Sequence, residues 1–304
     1  MTEAPLAVKP PRPTPGSPVS LAAARAYTRR LARSHYENFL VVSWLLPRRL
    51  HQAMFDLYAY CRSVDDLGDE AQGDRLGLLR DWRSELHDCF GGRPRLPLFV
   101  ALADTIRRFD LPVEPFEHLI DANEQDQRVT RYECYNDVLD YCSRSANPVG
   151  RLVLMLFGYR DERRFALSDA TCTALQLANF WQDVAGDFRR RGRIYLPLED
   201  LRSFGYTETG LAAGVADDRW RELMRFQVER TRQLFRTGQQ LLPLVEGRLR
   251  IDLRLFTLGG LEILRRIEAQ RYDVFSSRPR TPAWRQLILL AQAAATLPRT
   301  ARGA

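Results

Sequence analysis

The chain has 304 residues, and 45% of them are hydrophobic, which is enough to fill one large core or two smaller ones. The formal charge is +7, and the basic side chains are almost all arginine, with Lys9 as the single lysine. An arginine-rich surface suits nucleic acid, an anionic membrane or a small phosphorylated ligand, but the absence of a nucleic-acid-binding motif argues against nucleic acid.

The cysteines and histidines narrow the class of protein further. The five cysteines are odd in number and include no Cys-x-x-Cys pair, which predicts reduced thiols in a cytoplasmic protein. The four histidines are scattered along the chain, which argues against a zinc site built from histidine.

The N-terminus predicts a tail and the rest of the chain predicts helices. Residues 1–20 hold six prolines and few large apolar side chains, so we expect a disordered or extended segment. This segment lacks the apolar run of a signal peptide. From residue 21 to residue 298 apolar side chains recur at spacings of three and four, which predicts one helical domain, followed by a short tail over 299–304.

Local signals predict where several helices begin and end. Pro47 fits the first turn of one helix, and Ser168 with Asp169 fits the N-terminal cap of another. Clusters of proline and glycine at 91–97 and 111–115 predict helix junctions. No alternating strand pattern of useful length is present, so we expect an all-α fold.

The last predicted helix, residues 284–297, is strongly apolar. It falls short of the roughly 20 apolar residues of a spanning helix, and it contains Arg285 and Gln292. It fits either a final core helix or an interfacial helix, and packing against the core is favoured.

Two acidic stretches on predicted helices carry the strongest functional signal. The first, residues 58–70, reads YAYCRSVDDLGDE, and it places Asp65, Asp66 and Asp69 on one face with Arg62 one turn away. The second, residues 176–187, reads QLANFWQDVAGD, and its oxygen-bearing side chains at four-residue spacing are Asn179, Asp183 and Asp187.

Either acidic stretch alone is typical of a solvated helix face. As a pair embedded among apolar residues they indicate a site, because stacked carboxylates repel each other unless a cation neutralises them. Oxygen ligands suit Mg²⁺ or Mn²⁺, which also takes phosphate oxygens. We therefore expect the two helices to face each other across a central cavity and to share a metal-diphosphate site whose ligands are Asp65, Asp69, Asn179, Asp183 and Asp187.

The two acidic stretches resemble the aspartate-rich motifs of the squalene and phytoene synthase family, the head-to-head prenyl synthases. The resemblance runs from about His35 to Pro282 and includes LLP at 45–47, YCSRSANPVG at 141–150, RIYLP at 193–197 and RPR at 278–280. It implies an isoprenoid-synthase-type helical bundle that acts on prenyl diphosphates.

Within that family the sequence is most similar to the hydroxysqualene synthase branch, known as HpnC, of bacterial hopanoid pathways. The residues that indicate this branch are HYENF at 35–39, ANPVG at 146–150 and Gln182, where many members of the family carry arginine. The resemblance implies that water converts presqualene diphosphate to hydroxysqualene, with Mg²⁺ and without NADPH. Two alternatives remain: a synthase that condenses two prenyl diphosphates to presqualene diphosphate, squalene or phytoene, and an inactive scaffold protein, against which both complete motifs argue.

The motifs and the resemblance together give a set of candidate site residues. Asp66 and Gln176 would orient ligands and water, while Arg62 and Arg193 would contact diphosphate. The predicted catalytic residues are Asp65, Asp69, Asp183, Asp187 and Asn147, and the predicted substrate-binding residues are His35, Asn38, Tyr58, Arg62, Asp66, Gln176 and Arg193. Candidate aromatic side chains beside a carbocation are Phe39, Trp44, Tyr58, Tyr141, Phe157, Phe180 and Trp181.

The ANPVG segment interrupts a run that otherwise predicts a helix from 138 to 156. Pro148 lacks an N–H and clashes with the carbonyl of Arg144 in a continuous helix. The freed carbonyl and Asn147 are candidates for stabilising a cation or holding a water, and a plain structural kink is the alternative.

An insoluble hydrocarbon substrate implies work at a membrane. We expect a cytoplasmic protein that associates peripherally with the inner face of the cell membrane and is functionally coupled to other enzymes of the squalene pathway.

Overall fold

The computed structural model describes residues 19–34 and 47–295. Over these ranges the chain is helical and forms no strand, and an isolated parallel bridge joins Arg131 to Ile194. The predicted all-α fold is confirmed for this part of the chain. The predicted terminal tails lie largely outside the described residues. The chain divides into two compact units, one up to Arg128 and one from Val129; the single domain over 21–298 and its central cavity stay predictions.

The first unit contains five described helices that enclose an aromatic core. The Tyr60 ring lies 5.1 Å from Phe116, 6.0 Å from Trp82 and 6.1 Å from Phe99 between centroids. The buried Tyr60 hydroxyl donates a 2.9 Å hydrogen bond to the Phe116 carbonyl, which satisfies its polar group inside the core. The helices are α1 (Leu21–Ser34), α2 (Arg48–Asp69), α3 (Arg75–Phe90), α4 (Pro97–Phe109) and α5 (Glu114–Gln125).

A buried polar network joins three of these helices around Asp56. Thr28 of α1 and Thr105 of α4 each donate a 2.7 Å hydrogen bond to the Asp56 carboxylate, and Gln52 donates one of 2.8 Å. Burial raises the pKa of Asp56, whereas the three donors lower it. The network makes a charge-bearing side chain tolerable in the core and fixes α1 and α4 against α2.

The second unit is organised around one long helix, α8. The Trp181 ring on this helix is fully buried, and its Nε1–H donates a 2.8 Å hydrogen bond to Thr231 Oγ1. The elements are α6 (Tyr135–Ser145), α7 (Asn147–Leu156), α8 (Glu162–Arg191), α9 (Leu198–Ser203), α10 (Glu208–Ala213), α11 (Asp218–Gly238), a 3₁₀ helix (Gln239–Leu244), α12 (Gly247–Ala269) and α13 (Ala283–Ala294).

Two glycines allow neighbouring helices to approach α8 closely. A Cβ at Gly238 would lie 2.1 Å from Thr171 Oγ1, and one at Gly150 would lie 2.5 Å from Cys172 Sγ. Both distances are far inside van der Waals contact, so any larger residue would push α11 or α7 away from α8.

The predicted cap at Ser168 and Asp169 is wrong. Helix α8 begins at Glu162, and its N-cap is Asp161, whose carboxylate accepts from the Arg164 N–H at 3.1 Å. Asp169 lies inside the helix and pairs with Arg151 at 2.6 Å. A cap pattern is recognisable in sequence only when the residues before it break the helical pattern, and here they continue it. Pro47 precedes the first helical residue of α2 and acts as its N-cap residue.

The last helix packs on α12 by only part of its surface. Its buried residues are Leu289 and Ala293, whereas Trp284, Leu287 and Ile288 are exposed. Among the described residues, no helix combines the length and the apolar character that crossing a bilayer requires.

Candidate active site

The first aspartate stripe lies in the last two turns of α2. The Arg62 guanidinium contacts Asp66 at 2.6 Å, one helical turn away, as the spacing predicts. Tyr58 is half-buried one turn before Arg62. Burial raises the pKa of Tyr58, the charge of Arg62 lowers it, and the charge of Asp66 raises it. The helix ends at Asp69, and Arg75 donates to the Asp69 carbonyl at 3.0 Å, which satisfies part of the helix terminus.

Asp65 has the most perturbed pKa of this stripe. The residue is exposed at the helix surface, but the protein groups packed around its carboxylate desolvate it, which raises the pKa of Asp65 to about 7. The charges of Asp69 and Asp66 raise that pKa further. A hydrogen bond from Asn123 and the charge of Arg62 act in the opposite direction. The carboxylate therefore lies where a cation would relieve both effects.

Asn123 on α5 is a site residue that the sequence did not indicate. Its Nδ2 donates to Asp65 Oδ1 at 3.4 Å and to the Leu119 carbonyl at 3.0 Å. It packs so closely on Gly68 that a Cβ there would lie 2.1 Å from its Oδ1. Gln127 donates to the Gly68 carbonyl at 2.9 Å. The only sequence signal is the polar run 123–127, which is equally typical of a solvated helix end.

The second stripe lies in the C-terminal half of α8. Asn179 is exposed, Gln176 and Asp183 are partly buried, and Asp187 is buried. Arg278 forms a two-pronged ion pair with Asp183, from Nε to Oδ1 at 2.5 Å and from Nη2 to Oδ2 at 2.7 Å. This carboxylate is thus compensated by a cationic side chain of the protein itself.

Asp187 lies at the end of α8, next to several arginines. Burial raises the pKa of Asp187 to about 6, and the charge of Asp183 adds to the shift. Arg191, 3.5 Å from its Oδ1, lowers that pKa, and so do Arg190 and Arg193. Of the three consecutive arginines at 189–191, Arg191 therefore contacts the stripe.

The predicted family arginine, Arg193, is buried directly after α8. Gly192 ends the helix in the left-handed region at φ 63°, and the Arg193 N–H donates to the Asp187 carbonyl at 3.2 Å. This turn brings Arg193 near the Asp187 carboxylate, whose pKa it lowers, and contact of Arg193 with diphosphate stays a prediction.

Gln182 positions the segment that carries Arg278. Its side chain is buried, its Nε2 donates to the Pro279 carbonyl, and its Oε1 accepts from Arg278 Nη2 at 3.2 Å. The RPR segment matched the family in sequence, but its contact with Asp183 depends on a residue 95 positions away and was not predicted.

Four aromatic side chains form a cluster that includes Phe180, the residue after Asn179 of the second stripe. Phe180 and Tyr195 stack face to face, with centroids 3.8 Å apart and planes 5° from parallel. Tyr141 lies 5.5 Å from Tyr195, and Tyr132 lies 5.6 Å from it. Two of these rings, Phe180 and Tyr141, were candidates, whereas Tyr195 and Tyr132 were not.

The other candidate aromatic residues are placed differently. Trp181 is fully buried in the helical core, and Phe157 is partly buried at the end of α7. Phe39, Trp44, His35 and Asn38 lie outside the described residues.

The helix break at the ANPVG segment is confirmed. Helix α6 ends at Ser145 and α7 begins at Asn147, so Pro148 lies in a first turn, where its missing N–H is tolerated. Asn147 Oδ1 accepts a 3.0 Å hydrogen bond from Thr173 Oγ1 of α8. The Thr173 hydroxyl therefore fixes the orientation of the Asn147 amide.

The donor chemistry of each stripe fits a hard divalent cation, because each presents carboxylate oxygens. Desolvation and neighbouring carboxylates raise the pKa of Asp65 and of Asp187, and a cation would lower both pKa values. Within residues 19–34 and 47–295, no three His, Cys, Asp or Glu side chains converge on one point that would hold a metal ion. Each stripe taken alone would therefore leave coordination positions for water and phosphate oxygens. Metal ligation by the five residues named above stays a prediction, and so does their sharing of one site.

The chain matches known proteins over most of its length. A family model described as squalene/phytoene synthase matches residues 32–285. A phytoene synthase from Arthrospira platensis is 34% identical over 281 residues, covering 86% of this chain and 89% of that relative. The crystal structure of squalene synthase HpnC from Alicyclobacillus acidocaldarius is 47% identical, with a TM-score of 0.81 and coverage of 84% of this chain and 97% of that one.

The fold also matches the crystal structure of a dehydrosqualene synthase in complex with a ligand. It is 26% identical, has a TM-score of 0.83, and covers 90% of this chain and 96% of that one. These structural matches confirm the predicted isoprenoid-synthase-type helical fold.

Proposed function

The chain belongs to the squalene/phytoene synthase family, and on that premise we propose that it converts presqualene diphosphate and water to hydroxysqualene and diphosphate. Members of the family act on prenyl diphosphates and generally depend on a divalent metal. The observation that carries the proposal is the 47% identity to a structure described as squalene synthase HpnC, against 34% to the phytoene synthase. Mg²⁺ is the proposed metal, and NADPH is not required.

Charged side chains of both stripes would bind the diphosphate end of the substrate. Arg62 and Arg193 would donate to its oxygens, and Arg278 would do so on exchanging its partner Asp183 for phosphate. When bound by Asp65, Asp69, Asp183 and Asp187, with Asn179, Mg²⁺ would neutralise the diphosphate and improve it as a leaving group.

The aromatic cluster and Asn147 would control what happens after the carbon–oxygen bond breaks. Diphosphate carries away the electron pair of that bond, which leaves a carbocation. The ring faces of Phe180, Tyr141 and Tyr195 support a cation and exclude bulk water. The Asn147 amide, oriented by Thr173, would hold one water, whose oxygen forms the new bond to carbon and whose proton is then lost.

One experiment tests this proposal directly. Purified protein is incubated with presqualene diphosphate and Mg²⁺ in ¹⁸O-labelled water, with and without NADPH, and the lipid product is analysed by mass spectrometry. The expected product is a labelled alcohol whose yield is independent of NADPH. A hydrocarbon that forms only with NADPH would contradict the proposal.

A second candidate function is condensation of two prenyl diphosphates, which the phytoene synthase relatives favour. It predicts turnover of farnesyl or geranylgeranyl diphosphate in the absence of presqualene diphosphate, and the same assay run with each of these diphosphates as the sole substrate separates the two functions.

We also propose that the protein works in the cytoplasm as a peripheral protein at the inner face of the cell membrane. Its hydrocarbon substrate and product are insoluble in water, and other enzymes of the squalene pathway would supply the one and use the other. Attraction of its arginine-rich surface to anionic lipid would weaken at high salt.

A further inference from the structure

An apolar stripe on the last helix lies open to solvent. Trp284, Leu287 and Ile288 of α13 follow each other at helical spacing, and their exposures are 60%, 69% and 38%. The opposite side of the helix holds it to the second unit through Leu289 and Ala293. Exposed apolar residues that occur singly are ordinary, but three on one helical stripe, with a tryptophan among them, indicate a binding surface.

The charge around this stripe indicates what it binds. Arg265, Arg266 and Arg285 converge on the buried Glu262 at 2.6, 2.9 and 3.2 Å. Three guanidinium groups on one carboxylate leave a local charge of +2. Five arginines and no aspartate or glutamate occur in residues 274–304. An apolar stripe with basic flanks matches an anionic lipid surface, in which apolar side chains enter the headgroup region and arginines meet lipid phosphates.

The apolar stripe begins close in sequence to Arg278, which contacts the second aspartate stripe. Trp284 lies six positions after Arg278, which contacts Asp183, and six positions extend over at most about 20 Å. A surface at this point would keep the second stripe near the bilayer that dissolves a hydrocarbon substrate.

We propose that Trp284, Leu287 and Ile288, with the arginines around Glu262 and Arg280, form the surface by which this protein docks on an anionic bilayer. Helix α13 lies in the plane of the interface and does not cross it. The inference deepens the membrane association proposed above, on which it rests, by naming the residues that carry it.

The test is co-sedimentation of the full chain with vesicles of equal parts phosphatidylglycerol and phosphatidylcholine, and with vesicles of phosphatidylcholine alone. The apolar variant is Trp284→Ser/Leu287→Ser, and the charge variant is Arg280→Glu. The matched controls are Leu78→Ser/Val215→Ser, at exposed apolar positions elsewhere, and Arg163→Glu at an exposed arginine of α8.

The apolar variant should bind anionic vesicles at least tenfold more weakly than the parent, on the order expected for a lost apolar contact, and the charge variant should bind them about tenfold more weakly. The vesicle affinity of both controls should stay within about twofold of that of the parent. Parent and apolar variant should unfold at similar temperatures, since both replaced side chains face solvent, and both should turn over detergent-dispersed substrate. Equal vesicle binding by parent and apolar variant overturns the assignment of the surface.

Two other outcomes would also overturn the proposal, and each would do so for a separate reason. If the parent binds neither vesicle, membrane association itself is wrong, while turnover in detergent still tests the proposed chemistry. If light scattering shows a dimer that the apolar variant loses, and vesicle binding is unchanged, the stripe binds a second copy of the chain.

Discussion

The two aspartate stripes have the same four-residue spacing, but the protein compensates their charge in different ways. Asp65 accepts a 3.4 Å hydrogen bond from the neutral Asn123 side chain, whereas Asp183 pairs with two nitrogens, Nε and Nη2, of the Arg278 guanidinium. In the first stripe desolvation raises the pKa of Asp65, the charges of Asp69 and Asp66 add to it, and the hydrogen bond from Asn123 offsets it only in part. Similar local sequences therefore reach different electrostatic states, because the compensating groups come from elsewhere in the chain.

The largest expected effect is on turnover, and it should be the same for both stripes. If the proposed function is correct, Asp65→Ala and Asp183→Ala should each lower kcat by on the order of a thousandfold, since each removes a proposed ligand of the Mg²⁺ that would neutralise the leaving diphosphate. Circular dichroism should show an unchanged helical fold. Ordinary activity of either variant in Mg²⁺ would contradict the role of that stripe.

Thermal stability should separate the same two variants. Asp65→Ala removes a carboxylate repelled by its neighbours, so the metal-free protein should be equally or more stable. Asp183→Ala leaves Arg278 without its ion pair and should cost about 1 kcal/mol or less, because Arg278 is partly exposed. Calorimetry of both metal-free variants checks this, and equal shifts of Tm would refute the contrast.

Protonation of Asp187 should make the stability of the metal-free protein depend on pH. The pKa of Asp187 is raised to about 6 from the model-peptide range near 3.9, so the folded protein binds its proton more tightly than the unfolded chain does. This contribution favours the folded state fully below pH 4 and is lost as pH rises through 6, up to about 3 kcal/mol. Asp187→Asn should therefore flatten the stability profile of the metal-free protein between pH 4 and 6.

Other titrating carboxyls, such as Asp56, are present in both the parent protein and the Asp187→Asn variant, so their contributions cancel when the two stability profiles are subtracted. Excess Mg²⁺ should abolish the difference if the cation binds Asp187, since a bound cation lowers the pKa of a carboxyl. If the stability of the metal-free parent and that of the Asp187→Asn variant change with pH in parallel, Asp187 is not the group responsible for the pH dependence.

The support of the first stripe can be broken without touching a carboxylate. Gly68→Ala would displace Asn123 and should destabilise the protein by about 1–3 kcal/mol. Gly259→Ala, at a helical glycine with open space around its Cβ position, is the matched control and should be neutral or stabilising. Equal unfolding midpoints in urea for the two variants would show that the close Gly68–Asn123 contact carries no strain on substitution.

The smallest effect concerns product identity rather than rate. Asn147→Ala should shift the product mixture toward dienes or rearranged alcohols and lower kcat less than about tenfold, because the diphosphate-binding groups remain. Thr173→Val should shift it in the same direction but less, since it removes only the group that orients the amide. An unchanged product from Asn147→Ala would remove this residue from the mechanism.

Much of the fold and part of the site follow from the sequence. Helical periodicity predicts the all-α fold, and the Arg62–Asp66 contact lies within one helical turn. The contacts of Asn123 with Asp65 and of Arg278 with Asp183 were not predicted, because the partners are 58 and 95 residues apart in the chain. Spacing in sequence predicts contacts only between neighbouring turns of one helix. Ser168 was misjudged for the converse reason: a residue with capping chemistry continued a helix that had already begun.

The Asp56 network also bears on how the first unit opens. Thr28, Gln52 and Thr105 tie α1 and α4 to α2 through one carboxylate, about 13 Å along the helix axis from Asp65. We expect helices joined in this way to exchange their amide hydrogens as one cooperative unit rather than one by one. A mutation as mild as Thr28→Val should therefore raise amide exchange across α2 as well as α1, and so loosen a stripe of carboxylates that Thr28 never touches.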